Sequence, residues 1–263
     1  MKYILFPHKL GQLKNGINKT PNIIKSHLLK KNSNAQMIYN VPCSNNMYKN
    51  LHNLYYINES CKGPRINIGG HRSMSIATIS HSLSKFKNVK VIWIDAHADI
   101  NTTYNSKTNK SHGMSLGFLT GLDFNEKFSF LKNTLKFENL LYIGLRDLNE
   151  YEKLIIKTCN IQHIETKDIN NNLKVAKRKI HKFIHGHRFH ISLDVDSIDP
   201  SFIPSTNTPL ENGIKLDPMC DLIHDLMKDN NMINMDLCEL NLELGSEDDQ
   251  EKSLKNTLKI LNY

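Results

Sequence analysis

The stretch VKVIWIDAHAD, at residues 89–99, decides the fold class of this chain. Its first half is apolar at consecutive positions, as expected for a strand of a parallel sheet that is covered on both faces. The apolar run then ends in Asp95, His97 and Asp99, which are two residues apart. If the chain stays extended there, alternate side chains point to the same side, so the three can converge on one place.

A second stretch, FHISLDVDSIDP at residues 189–200, has the same arrangement, because its apolar run ends in Asp194 and Asp196. In a doubly wound sheet, ligands bind in the crevice outside the carboxyl ends of the strands. Both groups of side chains occupy such a position. The sequence therefore predicts one acidic site that is built from two strand ends.

Other apolar runs alternate with segments of helical spacing, which predicts βαβ units and a parallel sheet. We predict strands at residues 3–6, 65–68, 90–94, 140–143, 190–193 and 233–237. We predict helices at residues 78–86, 148–159, 172–184, 218–229 and 247–261, and an irregular conformation for the asparagine-rich residues 32–53. The length of 263 residues fits a single α/β domain, residues 1–263.

The composition argues against several classes of protein. No apolar run approaches the roughly 20 residues that span a bilayer, and the N-terminal MKYILFPHKL is too short and too soon polar for a signal peptide. The five cysteines have no C-x-x-C spacing, which favours a reducing compartment, so we expect a cytoplasmic protein with no membrane partner. The formal charge of +8 comes from scattered lysines, so we expect no nucleic-acid partner.

The two strand ends bring together four aspartates and one histidine. Aspartates that converge at buried strand ends repel one another and lose hydration, which destabilises the fold unless cations are bound. A pair of divalent metal ions, typically about 3.5–4 Å apart in hydrolytic sites, removes this conflict, and an oxygen-rich donor set suits Mn²⁺ better than Zn²⁺ or Cu²⁺. Alternatively, these aspartates cap turns, although two such motifs that each close an apolar strand favour the metal site.

The motifs together resemble the arginase family of ureohydrolases. The similar segments are DAHAD at residues 95–99, SHGM at 111–114, LDVDSIDPSFIPSTNTP at 193–209, ELN at 239–241, and GGHRS at 69–73, where the family has Gly-Gly-Asp-His-Ser. Within the family, the arginases themselves are the most similar. The resemblance implies a three-layer α/β/α domain with a parallel, doubly wound sheet, an architecture that histone deacetylases share.

The resemblance also implies a chemistry. Two Mn²⁺ ions would be held by Asp95, His97, Asp99, Asp194 and Asp196, and the hydroxide that they activate would attack the guanidinium carbon of the substrate. A guanidinium is a poor electrophile, so a strong nucleophile must be generated at neutral pH. The implied reaction is hydrolysis of a guanidino compound, and the first choice is L-arginine, which gives L-ornithine and urea.

Further roles are implied for catalytic and substrate-binding residues. Asp99 would hydrogen-bond the hydroxide, His112 would shuttle a proton to the leaving amine, and Glu239 would pair with the substrate guanidinium. The alternatives are a loop histidine and a surface glutamate without a task. The rest of the substrate would be met by Asn101, Asn149, Thr208 and Lys110. Because Asn149 stands where the family has an aspartate, and Lys110 where it has an asparagine, the resemblance supports a guanidino substrate more strongly than arginine itself.

The Gly-Gly turn departs from the family pattern. The family's sixth metal ligand, a histidine, aligns with Arg72, and the aspartate before it aligns with His71. Three arrangements are open. Arg72 can place its permanent charge in the site, pair with Asp99 and leave one metal or none. Alternatively, a local rearrangement lets His71 serve as the ligand, or Arg72 points to solvent and two metals bind weakly.

Two functions remain open on the sequence. The first is an active, manganese-dependent ureohydrolase, supported by five of six ligands together with His112 and Glu239. The second is a catalytically impaired or inactive arginase-like protein that binds a ligand or a partner, supported by Arg72, Asn149 and Lys110. The resemblance further implies a homo-oligomer, either a trimer or a hexamer.

Overall fold

The computed structural model describes residues 1–11, 14–31, 38–106 and 111–262, without the side chains of residues 30, 31, 111 and 112. The described residues form eight strands: β1 (Lys2–Phe6), β2 (Ile38–Asn40), β3 (Arg65–Gly69), β4 (Lys90–Ile94), β5 (Leu140–Ile143), β6 (Gln162–Ile164), β7 (Phe189–Asp194) and β8 (Met232–Cys238). They also form α1 (Thr20–Lys31), α2 (Met47–Ser60), α3 (Met74–Lys85), α4 (Ser115–Thr120), α5 (Glu150–Thr158), α6 (Thr166–Asn171), α7 (Leu173–Ile184), α8 (Leu216–Met227) and α9 (Glu247–Ile260).

All of the strands belong to one parallel sheet with the order β2-β1-β3-β8-β7-β4-β5-β6. Alternate residues of β4 face opposite layers: Ile92 and Ile94 pack with residues of α1 and α6–α9, whereas Val91 and Trp93 pack with residues of α3–α5. Helix α2 packs on the same side as α3 and α4. The predicted three-layer α/β/α fold with a parallel, doubly wound sheet is confirmed.

The predicted strands are confirmed to within one residue at each end, because each carries a run of β-branched and apolar residues. The prediction missed the three-residue edge strands β2 and β6, which are too short to give a pattern, and it missed α1, α2, α4 and α6. The predicted helix at residues 78–86 begins four residues earlier, at Met74. The helices predicted near the positions of α5, α7, α8 and α9 are confirmed with shifts of at most two residues at either end.

The prediction that residues 32–53 are irregular is wrong for much of this stretch. Strand β2 and the first half of α2 lie within it, and residues 32–37 lie outside the described residues. Asn46 caps α2, because its side chain accepts a hydrogen bond from the Lys49 N–H. Leu51 and Leu54, three residues apart, turn one face of α2 into the core. The many asparagines concealed this apolar face in the sequence.

The middle of the sheet determines where the acidic residues meet. Strands β3, β8, β7 and β4 are neighbours and run in the same direction, so their carboxyl ends lie side by side. The residues that follow these strands include Arg72, Glu239, Asp196 and Asp95. The chain leaves β3 and re-enters the sheet at β4, on the far side of β8 and β7. This gap in the order is the type of switch point at which α/β proteins bind ligands.

The Gly-Gly turn after β3 is held between two other strands. The Gly70 N–H donates to the Phe6 carbonyl at 3.2 Å, and the Gly70 carbonyl accepts from the Glu239 N–H at 2.9 Å. A Cβ atom on Gly70 would lie 2.3 Å from the His8 carbonyl oxygen. Glycine is therefore required at this position, because the backbone of His8 leaves no room for a Cβ atom.

Two further findings bear on the sequence expectations. None of the helices in the described ranges has the length and hydropathy that a membrane span requires. All five cysteines are free, in line with the lack of a C-x-x-C spacing.

Arg146 fastens the loops behind the acidic site. Its guanidinium donates only to backbone carbonyls, those of Gly144, Asp196, Ser197, Leu210 and Glu211, at 2.6–3.2 Å. These carbonyls lie in three separate segments of the chain. Arg146 thereby ties the end of β5 to the turn that carries Asp196 and to the loop before α8.

We predict that Arg146→Lys lowers the free energy of unfolding by about 2–4 kcal/mol, because one ammonium group cannot reach carbonyls in three segments. Urea denaturation measures this change. The exposed Arg178 in α7 provides the matched control, since Arg178→Lys should shift the free energy by less than about 0.5 kcal/mol. Equal effects of the two substitutions would contradict the role of Arg146.

His8 is a buried histidine behind the Gly-Gly turn, with an exposed fraction of 1%. Its Nδ1 lies 3.1 Å from the Asn50 Nδ2, an amide nitrogen that can only donate. Burial lowers the pKa of His8 to about 4. In an unfolded chain a histidine has a pKa near 6.5, so between pH 6.5 and 4 unfolding takes up a proton at His8.

The contribution of His8 to the free energy of unfolding should therefore be complete above about pH 6.5 and should fall as the pH decreases towards 4. We predict that His8 alone makes the free energy of unfolding about 2 kcal/mol lower at pH 5 than at pH 7. Urea denaturation at both pH values measures this, and His8→Gln should remove that part of the pH dependence. His27→Gln, a more exposed histidine in α1, is the control. An unchanged pH dependence in His8→Gln would refute the prediction.

Candidate functional site

A cavity of about 390 Å³ opens at the carboxyl ends of the central strands. Its walls contain all five predicted metal ligands and four predicted substrate contacts, namely Asp95, His97, Asp99, Asp194, Asp196, Asn101, Asn149, Thr208 and Glu239. Lys110 lies outside the described residues. His112 lies in the 3₁₀ helix Ser111–Met114, next to Gly113 in the cavity wall, and its side chain is outside the described part.

Three of the predicted ligands are close enough to hold one metal ion. Asp95, His97 and Asp196 each offer one ligand atom, and these atoms lie within 4.8 Å of one another. His97 Nδ1 is 3.0 Å from Asp196 Oδ2 and 3.4 Å from Asp95 Oδ1. Backbone groups orient the carboxylates, because the His97 N–H donates to Asp95 Oδ1 at 2.8 Å and the Ala96 N–H donates to Asp196 Oδ1 at 3.3 Å.

Burial and crowding raise the proton affinity of three of the four aspartates. Burial also favours the protonated form of Asp95, but Arg72 and then His97 outweigh burial and lower the pKa of Asp95. Burial, followed by repulsion from Asp95, raises the pKa of Asp99 well above its usual value. Burial, followed by repulsion from Asp196, does the same for the pKa of Asp194. The pKa of Asp196 is also raised, first by burial and then by Asp95. The site therefore holds more negative charge than it can easily keep, and a cation would relieve it.

The same carboxylates stabilise the protonated, charged form of His97. Burial by itself would lower the pKa of His97, but hydrogen bonds to Asp196 and Asp95 outweigh burial and raise it to about 12. A proton on His97 thus balances part of the charge of the two carboxylates. A divalent cation at the same place would meet both carboxylates and the imidazole nitrogen with a higher charge.

Arg72 fills the centre of the acidic cluster and is only 2% exposed. Its Nη2 lies 2.7 Å from Asp95 Oδ2, and its Nε lies 3.4 Å from Asp99 Oδ2 and 3.9 Å from Asp194 Oδ2. Burial opposes the charge of Arg72, but the neighbouring anionic groups, led by Asp95, raise its pKa well above the usual value. Arg72 is the internal counter-ion of these carboxylates.

Two other side chains hold the guanidinium of Arg72 in place. Its Cζ lies 3.7 Å from the ring centroid of Trp93, which is a cation–π contact. Its Nη1 donates to Cys238 Sγ at 3.2 Å, and its backbone N–H donates to Glu239 Oε1 at 2.7 Å. Of the three arrangements considered for this turn, the structure has the first, in which Arg72 enters the site. The solvent-facing arrangement is wrong.

His71 does not act as a substitute ligand. Its Nδ1 lies 2.7 Å from Ser73 Oγ, and its ring meets His8 edge-on with the centroids 6.0 Å apart. It is fully buried and does not line the cavity. The arrangement in which His71 serves as the ligand is therefore wrong, because adjacent side chains diverge at this turn.

A closed ring of hydrogen bonds on the cavity wall joins Asn101, Asn149 and Glu152. Asn149 Nδ2 donates to Asn101 Oδ1 at 2.9 Å, and Asn101 Nδ2 donates to Glu152 Oε1 at 2.8 Å. Asn149 also caps α5 in a capping box with Glu152. The amide of Asn149 is thus engaged within the protein, and burial raises the pKa of Glu152.

Glu239 faces the cavity immediately after β8. Its Oε2 accepts a hydrogen bond from Asn207 Nδ2 at 2.9 Å, in addition to the bond between Oε1 and the Arg72 backbone. Glu239 has a φ of 63° and Asp99 a φ of 49°. This left-handed region is uncommon for residues other than glycine, so the contacts around Glu239 and Asp99 have to hold the backbone there.

Several cavity residues were missed in the sequence. Lys14, Asp147, Glu152 and Asn207 also line the cavity, and Trp93 lies under the guanidinium of Arg72. Glu152 could have been found as the third residue of a capping box that begins at Asn149. Lys14, Asp147 and Asn207 stand in loops, where no spacing in the sequence indicates which way a side chain turns, and the role of Trp93 in β4 depends on Arg72, a residue from another segment.

The residues present fit one divalent cation, but they do not fit the second. Asp95, His97 and Asp196 provide two carboxylates and an imidazole, a donor set that suits Mn²⁺. The space between Asp95, Asp99 and Asp194 contains the guanidinium of Arg72 instead.

Comparison with known proteins gives the family of this chain. The family model described as the arginase family matches residues 15–260. An arginase of Plasmodium berghei is 34% identical over 247 residues, which cover 89% of this chain and 69% of that protein. An arginase of Plasmodium falciparum is 38% identical over 193 residues, which cover 70% of this chain and 46% of that protein. The chain spans about half the length of several of the curated relatives that it matches.

A solved structure agrees over nearly the whole chain. The crystal structure of Entamoeba histolytica arginase in complex with L-ornithine has a TM-score of 0.88 and 27% sequence identity, and the match covers 99% of this chain and 96% of that one. The similarity therefore extends to the segment before residue 69, where the sequence motifs are weak. This chain belongs to the arginase family.

Proposed function

We propose that this chain hydrolyses a guanidino compound with the help of a divalent metal, and that L-arginine, cleaved to L-ornithine and urea, is the substrate. The observation that carries the proposal is the convergence of Asp95, His97, Asp196 and Glu239 on one cavity in a member of the arginase family. The proposed cation is Mn²⁺, because carboxylate oxygens predominate among the donors.

Asp95, His97 and Asp196 would hold the cation, with Asp194 beside them. When bound, the cation would supply Lewis-acid activation of water at neutral pH. Asp99, buried close by, would accept a hydrogen bond from the attacking water. His112 would give a proton to the leaving amine, a role that an imidazole suits.

Glu239 would bind the guanidinium of the substrate. Its carboxylate lies on the cavity wall and already accepts hydrogen bonds from the Arg72 backbone and from Asn207, which orient it. An ionised carboxylate forms strong, charge-assisted hydrogen bonds with a guanidinium. The rest of the substrate would extend past Asn101, Asn149 and Thr208 towards Lys110.

The biological setting is part of the proposal, and family membership and composition support it. We propose that residues 1–263 act as one arginase-like domain in the cytoplasm. Its partners would be the small guanidino substrate and further copies of the same chain, as a trimer or hexamer.

A second candidate function is binding without turnover. The observation that favours it is the guanidinium of Arg72 inside the acidic cluster, where it pairs with Asp95, Asp99 and Asp194. In this case the cavity would bind L-arginine or a related guanidino compound and release it unchanged. Calorimetric binding of L-arginine without urea formation would support this function over hydrolysis.

Urea release from L-arginine by the purified chain with added Mn²⁺ tests the proposed hydrolysis. We predict that Glu239→Gln lowers kcat/KM by about 100-fold, because the substrate guanidinium loses a charged hydrogen-bond partner worth roughly 2–3 kcal/mol. Glu138→Gln, at an exposed glutamate beside β5, should leave kcat/KM unchanged. If neither L-arginine, agmatine nor a guanidino acid yields urea, the hydrolase proposal is wrong.

A further inference from the structure

We propose that Arg72 takes the place of one metal ion of the pair that the family resemblance implies. The chain then binds one divalent cation, at Asp95, His97, Asp194 and Asp196, and keeps its acidic site assembled without any cation. This inference deepens the proposed function, on which it rests for the nature of the site. Its test is the metal content of the protein, which does not depend on turnover.

The guanidinium of Arg72 occupies the space that a second metal ion would need. The guanidinium lies between the carboxylates of Asp95, Asp99 and Asp194, with nitrogen–oxygen distances of 2.7, 3.4 and 3.9 Å. A divalent ion needs oxygen ligands at about 2.0–2.6 Å. An ion that bridged these three carboxylates would have to sit where the guanidinium sits. Arg72 and a second metal therefore exclude one another.

Arg72 is held in this position by several independent contacts. Its guanidinium stacks on Trp93 and donates to Cys238 Sγ, and its backbone N–H is bound by Glu239. The Gly-Gly turn before it is fastened to β1 and β8 through Gly70. Arginine also stays protonated in proteins, so it cannot become a ligand itself. Displacing it would cost the cation–π contact and three ion pairs together.

His71, the other candidate ligand at this turn, does not replace the missing histidine ligand. His71 is turned towards His8 and Ser73 and is outside the cavity wall. Within the described ranges, one group of three or more histidine, cysteine, aspartate or glutamate residues has ligand atoms close enough together for an ion. This group is Asp95, His97 and Asp196. Of these, Asp196 and His97 form no ion pair with Arg72, so this place can accept a cation while Arg72 stays where it is.

The charge of the site also favours one metal ion over two. The four aspartates carry four negative charges when they are ionised. Arg72 neutralises one of these charges and a divalent cation neutralises two, so one remains beside the charge of Glu239, which lines the same cavity. Two divalent cations together with Arg72 would exceed the charge of the four aspartates by one, and Glu239 would then only offset that excess. One metal together with Arg72 therefore keeps these groups negative in sum, which suits a cationic guanidino substrate.

The experiment uses the purified full chain, stripped with EDTA, reloaded with Mn²⁺ and dialysed. Elemental analysis and calorimetric titration should give one Mn²⁺ per chain for the native protein and for Arg72→Lys, which keeps the charge. Arg72→His, which frees the space and adds an imidazole, should bind two. Arg178→His is the matched control for an arginine outside the site and should bind one.

Two Mn²⁺ or none in the native protein would overturn the inference, and so would a folded Arg72→His protein that binds only one. If Arg72→His fails to fold, the native protein and Arg72→Lys still decide the matter. One Mn²⁺ without urea release would refute the proposed function alone. Two Mn²⁺ with urea release would refute the inference alone.

Thermal unfolding in EDTA provides a second readout. The native protein should keep a cooperative transition in EDTA, because Arg72 still pairs with the aspartates. Arg72→His should unfold roughly 5–10 °C lower in EDTA and recover with Mn²⁺, since buried carboxylates have then lost their internal cation. Equal melting temperatures of the two proteins in EDTA would count against the proposal.

Discussion

Carboxylates brought together at the ends of parallel strands need positive charge between them, and the rest of this site depends on that requirement. Asp95 follows β4 and Asp194 ends β7, and these strands are neighbours in the sheet. Because parallel strands all end at the same edge, the fold cannot separate the two carboxylates. Burial further removes the water that would otherwise screen their repulsion. The positive charge therefore has to come from within the protein or from a bound ion.

This protein supplies part of that charge from its own chain. Arg72 lies after β3, two strands away from β7, and reaches across β8 to the carboxylates. The aromatic face of Trp93 and the sulfur of Cys238 receive its guanidinium. A side chain differs from a metal ion in that it cannot dissociate. The charge of this half of the site is thus built into the sequence.

The other half of the site is suited to an exchangeable cation. His97 lies between Asp95 and Asp196, and the raised pKa of His97 shows how strongly these carboxylates attract positive charge. Farther out, Asn101 and Asn149 join the wall of the same cavity. Membership of the arginase family gives this arrangement a chemical context. The carboxylate of Glu239, at the wall of the same cavity, is an anionic partner of the kind that a guanidinium binds.

The sequence by itself determined the parallel α/β sheet, the two acidic strand ends and the family, because these depend on short patterns within one segment. Apolar runs such as VIWI predict covered strands, and an aspartate directly after such a run must lie at a strand end. Patterns of this kind did not reveal β2, β6 or α2, where the elements are short or their apolar face is diluted by asparagine.

Only the tertiary structure decided what Arg72 and His71 do. The two residues are adjacent, and either could have entered the site on sequence alone. The direction of each side chain depends on the Gly-Gly turn, which is held by backbone from β1 and β8, elements far from it in the chain. Likewise, Arg146 and Trp93 gain their roles from contacts between distant segments. Such contacts leave no periodic signal, because they arise only when separate strands are placed side by side.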